Sequence, residues 1–157
     1  MPQAHLSGII PHLTVVGAAK AVDFYKQVFG AEEVMRMNAP DGRITHTELK
    51  IGDGVIMLCD DFPEWAGGKS KSPLALGGSA VSIHVVSRDC DATVRAAVAA
   101  GATVIMPPAD MFWGDRYAKF IDPFGHEWAV ATHVKDMTPA EMKAAGEAFF
   151  KNMNKPK

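Results

Sequence analysis

The chain has 157 residues, 48% of them hydrophobic, which is enough apolar side chain to close a core without disulfides or metals. A formal charge of −2 and a pI near 6.3 leave no basic footprint for nucleic acid or an anionic membrane surface, so neither is an expected partner. Residues 1–10 hold no basic segment followed by a long apolar stretch, and no later run approaches the roughly 18 apolar residues of a membrane span, so a cytoplasmic protein is expected.

In chain order, residues 9–16 read as a strand and residues 18–28 as a helix that stops at Gly30. Residues 32–37 resume as a strand, and residues 43–51 and 55–60 form a hairpin around Gly52-Asp53-Gly54. Residues 63–78 contain four glycines, two prolines, Lys69 and Lys71, and read as an exposed linker. The order then recurs: strand 80–87, helix 90–99, a stop at Gly101, strand 103–106, and a hairpin of 117–121 with 127–133 around Asp122-Pro123-Phe124-Gly125. Thr138-Pro139-Ala140-Glu141 is a capping box with proline at the first helical position, so a last helix should cover residues 138–152. Its Met142, Ala145, Phe149 and Phe150 would cover part of the domain or a partner subunit.

The recurrence also shows in the residues. Val28-Phe29-Gly30-Ala31 reappears as Ala99-Ala100-Gly101-Ala102, Val34-Met35 as Ile105-Met106, and the first hairpin turn as the second, all 71 residues on. The expected fold is therefore α+β: one domain over residues 1–157, made of two βαβββ modules (8–62 and 79–134) joined by the linker, plus the C-terminal helix. Cys59 and Cys90 lie outside any CxxC or zinc-type spacing and read as reduced packing residues.

Several segments carry a family likeness: His12-Leu13-Thr14-Val15-Val16 leading to Asp23-Phe24-Tyr25, Asp41-Gly42-Arg43-Ile44, and His46-Thr47-Glu48-Leu49-Lys50-Ile51-Gly52-Asp53. Trp113-Gly114-Asp115-Arg116 and Asp122-Pro123-Phe124-Gly125-His126 complete the set. Together they resemble the vicinal-oxygen-chelate (glyoxalase/bleomycin-resistance/dioxygenase) superfamily, in particular its PhnB-like, glyoxalase-like branch. The resemblance implies open curved sheets around a central cavity, pairing as a homodimer, and a divalent metal held by four His or Glu side chains, two from each module. Mapped onto this chain, the first ligand falls on His12 and the second on Met57, or on Leu58 if the hairpin is displaced by one. The third falls near Ser82, with His84 two residues further, and the fourth on Ala129, with Glu127 two residues too early. Thioether and methyl groups are not ligands for a hard divalent ion.

The main expectation is therefore a protein that binds a small organic molecule in the cavity between its modules, with no cofactor at the standard metal position. Its candidate ligand-binding residues are His12, His46, Met57, His84, Trp113, Asp115 and Arg116, because imidazoles, an aromatic face and fixed charges suit a binding mouth. His46 and Glu48 alternate on one strand face, which makes Glu48 the candidate general base. The second reading is a metal-dependent lyase or dioxygenase of the glyoxalase type with a rearranged ligand set, His12, Glu48 and His84. Neither a GxSxG elbow, a P-loop, a GxGxxG after a strand nor an HExxH is present, so hydrolase, nucleotide and zinc-protease readings have no support.

Overall fold

The computed structural model describes Leu6 and residues 8–154. Its elements are β1 (His12–Val15), α1 (Ala18–Phe29), β2 (Glu32–Asn38), β3 (Ile44–Ile51), β4 (Gly54–Asp60), α2 (Pro73–Leu76) and β5 (Ser82–Val86). They continue with α3 (Cys90–Ala99), β6 (Thr103–Asp110), β7 (Asp115–Ile121), β8 (Glu127–His133) and α4 (Pro139–Met153). The strands form two open four-stranded sheets, ordered β1-β4-β3-β2 and β5-β8-β7-β6, so the βαβββ order occurs twice and the class is α+β, as the sequence implied. Among the described residues, no helix is long and apolar enough to cross a membrane. Contacts divide the chain into two compact units. One takes the described residues up to Val81 together with Pro123–His126; the other takes Ser82–Asp122 and the described residues from Glu127 onward.

In the first unit, one buried carboxylate organises the entry to α1. Asp60 Oδ1 accepts hydrogen bonds from the backbone N–H groups of Gly17 and Ala18, 2.9 Å each, and Oδ2 accepts from Ile44 N–H at 2.7 Å. The helix has no side-chain cap of its own, so Asp60, at the end of β4, supplies the negative charge that its N-terminus favours. Gly30 ends the helix in the left-handed conformation, with φ at 64°. Strand alternation turns Leu13, Val15, Leu49, Ile56 and Leu58 to the face that packs on α1, where all are buried, each contributing roughly 1.5–3 kcal/mol. Phe124 joins this unit edge-on to Phe24 and Tyr25, with ring centroids 6.2 and 6.4 Å away.

The segment 63–78 is more structured than an exposed linker. It forms a 3-10 turn at Pro63–Trp65 and the short helix α2, and Ser72 and Pro73 are buried. Phe62 stacks on Trp65 at 4.1 Å, and Gly125 packs so tightly on Pro73 that an added Cβ would lie 2.9 Å from the proline side chain.

In the second unit, Asp89 caps α3 by accepting from Ala92 N–H at 2.9 Å, and the fully buried Trp128 donates its indole N–H to Asp122 at 2.8 Å. β6 runs four residues beyond the expected Met106, through Pro107-Pro108 to Asp110. It is an edge strand, where a missing N–H leaves no partner unsatisfied. The capping box at Thr138 and Glu141 forms as the sequence suggested.

The two sheets repeat in detail. The antiparallel edge strands β2 and β6 carry a bulge at the matching place, Glu33/Met35 and Val104/Met106, which keep the 71-residue spacing. The helix starts, Ala18 and Cys90, and the parallel strand pairs are one residue further apart. His12 pairs with Met57 in β4, and His84 pairs with Ala129 in β8. The counterpart of His12 is therefore His84, not Ser82, and Leu58 is excluded as a ligand position because its side chain is buried on the helix side.

Candidate functional site

With Leu13, Val15 and Leu58 turned toward α1, the alternate residues of the first sheet lie on the face turned away from that helix. Strand pairing sets them in rows. One row runs His12, Met57, Glu48, Met35 across the four strands; beside it, His46 pairs with Met37. The His12 and His46 rings meet edge to face, centroids 5.7 Å apart, and His46 Nε2 lies 3.4 Å from Glu48 Oε1. Glu48 is only 6% exposed although it stands on the open face. Burial pushes the His12 pKa below its ordinary value, and the neighbouring His46 pushes it the same way, so His12 favours the neutral ring. Cys59 lies two residues from Met57 on the same face, near the Thr14 hydroxyl at 4.0 Å, and burial holds its thiol up in the protonated form.

The open face of the second sheet has different chemistry in the same pattern. Its corresponding row is His84, Ala129, Lys119, Met106. Lys119 is paired with Glu127 at 2.7 Å, and Ser82 donates to the same carboxylate. Tyr117 links two rings: His84 stacks at 6.1 Å and Trp113 stands edge-on at 5.3 Å. His133 is held between Asp115 at 3.2 Å and Asp136 at 2.8 Å; these carboxylates, Asp136 first, raise its pKa. A cavity of about 700 Å³ in this unit is lined by residues including Trp113, Asp115, His133, Lys135, Met137 and Met142.

The structure brings His12, His46, Met57 and Glu48 together on one face, and His84, Trp113 and Asp115 onto the other sheet's face and loop. It does not bring Arg116 to that face. Arg116 pairs with Thr132 on the helix side, where its guanidinium grips both oxygens of Asp91 at the start of α3 and reaches Asp110 at 3.1 Å. His126 turns back to lie 3.4 Å from the Thr14 carbonyl.

Comparison with known proteins follows the same lines. A family model, the Glyoxalase/Bleomycin resistance protein/Dioxygenase superfamily, matches residues 4–130. The chain belongs to that superfamily. An uncharacterized protein of Mycobacterium bovis is 45% identical over 135 residues, covering 86% of this chain and 89% of the relative. Among solved structures, an Arabidopsis thaliana gene product matches 80% of this chain and 98% of its own at 29% identity and TM-score 0.64. TioX from Micromonospora sp. ML1 matches 84% and 100% at 27% identity and TM-score 0.61.

The divalent metal implied by the superfamily does not fit the residues this member presents. At the four corresponding positions stand His12, Met57, His84 and Ala129: two imidazoles, a thioether and a methyl group. Among the described residues, no three His, Cys, Asp or Glu side chains are grouped to hold an ion. In the rearranged set, Met57 stands between His12 and Glu48 in the row, and His84 belongs to the other unit.

Sequence reasoning missed Met35, Met37, Tyr117 and Lys119. Alternation from Glu32 would put Met35 and Met37 on the helix face, and only the bulge at Val34 reverses them. Tyr117 sits two residues past Asp115, so a period-2 reading of β7 was the signal that could have found it and Lys119.

Proposed function

We propose that this superfamily member binds a small organic molecule on the open faces of its sheets, without the superfamily's standard metal. The observation that carries the reading is the row His12, Met57, Glu48, Met35 with His46 beside it: a nearly buried carboxylate and two imidazoles set among thioethers on the face turned away from α1. Methionine adapts its shape to an apolar ligand, and a few fixed polar groups orient it. The ring series Trp113, Tyr117, His84 supports the same role on the second sheet. Glu48 is the candidate base if the ligand is also transformed, because His46 lies next to its carboxylate. The exposed Phe149, Phe150 and Met153 of α4 suit pairing into a homodimer.

A thermal-shift screen of neutral and charged organic molecules on chelator-treated protein tests this reading. Binding should raise the melting temperature of the metal-free protein, and substitution Met57→Ala should weaken the shift. Stabilisation that appears only after a divalent ion is restored would favour the second reading, a lyase or dioxygenase with a rearranged metal set. The observation on its side is the His12–His46 contact beside Glu48.

A further inference from the structure

We infer that the ligand of the first sheet's open face is an organic amine or amide with an apolar body, and that carboxylates and phosphates are turned away. This rests on the reading that the face binds an organic molecule. Glu48 carries the argument. Its side chain is 8% exposed, its row neighbours on both sides are methionines, and among the described residues its polar contact is with His46 at 3.4 Å, too long for a strong hydrogen bond.

An ionised carboxylate has roughly four acceptor sites and no donor, so Glu48 retains acceptor capacity after its contact with His46. A molecule that covers the carboxylate must bring a donor of its own or leave it unpaired. An N–H group meets the demand, whereas an oxyanion adds like-charge repulsion. The other titratable groups on this face do not restore an anion site. His12 is biased toward its neutral form, His46 already leans on Glu48, and Lys50 points along the same face but is exposed to water. Met35, Met57 and Met37 supply contact for an aromatic or alkyl body.

The test uses three probes that share one body: phenylacetamide, phenethylamine and phenylacetate, titrated into full-length protein with carbon-13-labelled methionine methyls. Phenylacetamide and phenethylamine should shift the Met35 and Met57 signals, phenylacetate should bind at least about tenfold more weakly, and Glu48→Gln should shrink that difference to about threefold or less. Phenylacetate binding as well as the other two, or a preference unchanged in Glu48→Gln, overturns this inference and leaves organic binding intact. If no probe moves either methyl signal, the binding reading itself fails. The ranking in unsubstituted protein decides the matter even if Glu48→Gln does not fold.

Discussion

Asp60 shows how much one side chain can settle. Its two oxygens hold the N-terminus of α1 and the first residue of β3, so Asp60→Ala removes three charge-assisted hydrogen bonds and leaves three backbone donors to find water. The expected cost is about 2–4 kcal/mol in a denaturant titration, and a loss below about 0.5 kcal/mol would contradict the assignment. His133 gives a pH signature. Asp136 and Asp115 raise its pKa above the ordinary 6.5, so its contribution to stability is complete below that value and fades as pH rises through the higher folded value. Between pH 5.5 and 8.5, approximate limits around the ordinary histidine range, the melting temperature of Asp136→Asn should fall less with rising pH than that of the unsubstituted protein. Parallel profiles would remove the ion pair from the account.

Sequence alone placed His46 and Glu48 on one face but could not say that Glu48 is nearly buried there. Burial depends on which strands lie alongside: the β3–β4 hairpin is legible from its turn, but β2 reaches Glu48 only past the bulge at Val34, which leaves no local trace. Arg116 illustrates the opposite problem. Adjacent to Asp115 in sequence, it faces the other side of β7, and its partner Asp91 lies 25 positions away.

At the scale of elements, punctuation residues were the most readable. α3 at Cys90–Ala99 and β8 at Glu127–His133 match the sequence reading residue for residue, because Asp89, Gly101 and the Asp122–Gly125 turn mark their ends. β6 runs past the expected Met106 through two prolines; proline argues against a central strand, but not against an edge strand such as this. The loop before β7 depends on Gly114. Its φ is 98°, it accepts hydrogen bonds from Val134 and Lys135 N–H, both at 2.9 Å, and an added Cβ would lie 2.2 Å from the Lys135 carbonyl oxygen. Gly114→Ala should therefore cost roughly 2–4 kcal/mol from backbone strain and overlap, and should move Trp113, visible as a change in tryptophan fluorescence. Unchanged stability and emission would mean the loop has another way to pass β8.

For the whole molecule, the repeated βαβββ order and the superfamily were legible because they rest on turn residues, periodicity and short motifs. The matching of positions between the halves was less so. A single 71-residue spacing holds for β2 and β6, but β5 and α3 are offset by one more residue from β1 and α1, a slip visible only in strand pairing. Correcting it makes His84 the counterpart of His12 and leaves Met57 and Ala129 where hard ligands would stand. With a thioether and a methyl group there, the protein should bind its organic ligand without the standard metal. Elemental analysis of protein purified without chelator, across nickel, zinc, manganese, iron and cobalt, tests it most directly. Metal should be far below one ion per chain, with full capacity for organic probes; about one tightly held ion per chain, lost together with probe binding on chelation, would overturn that expectation.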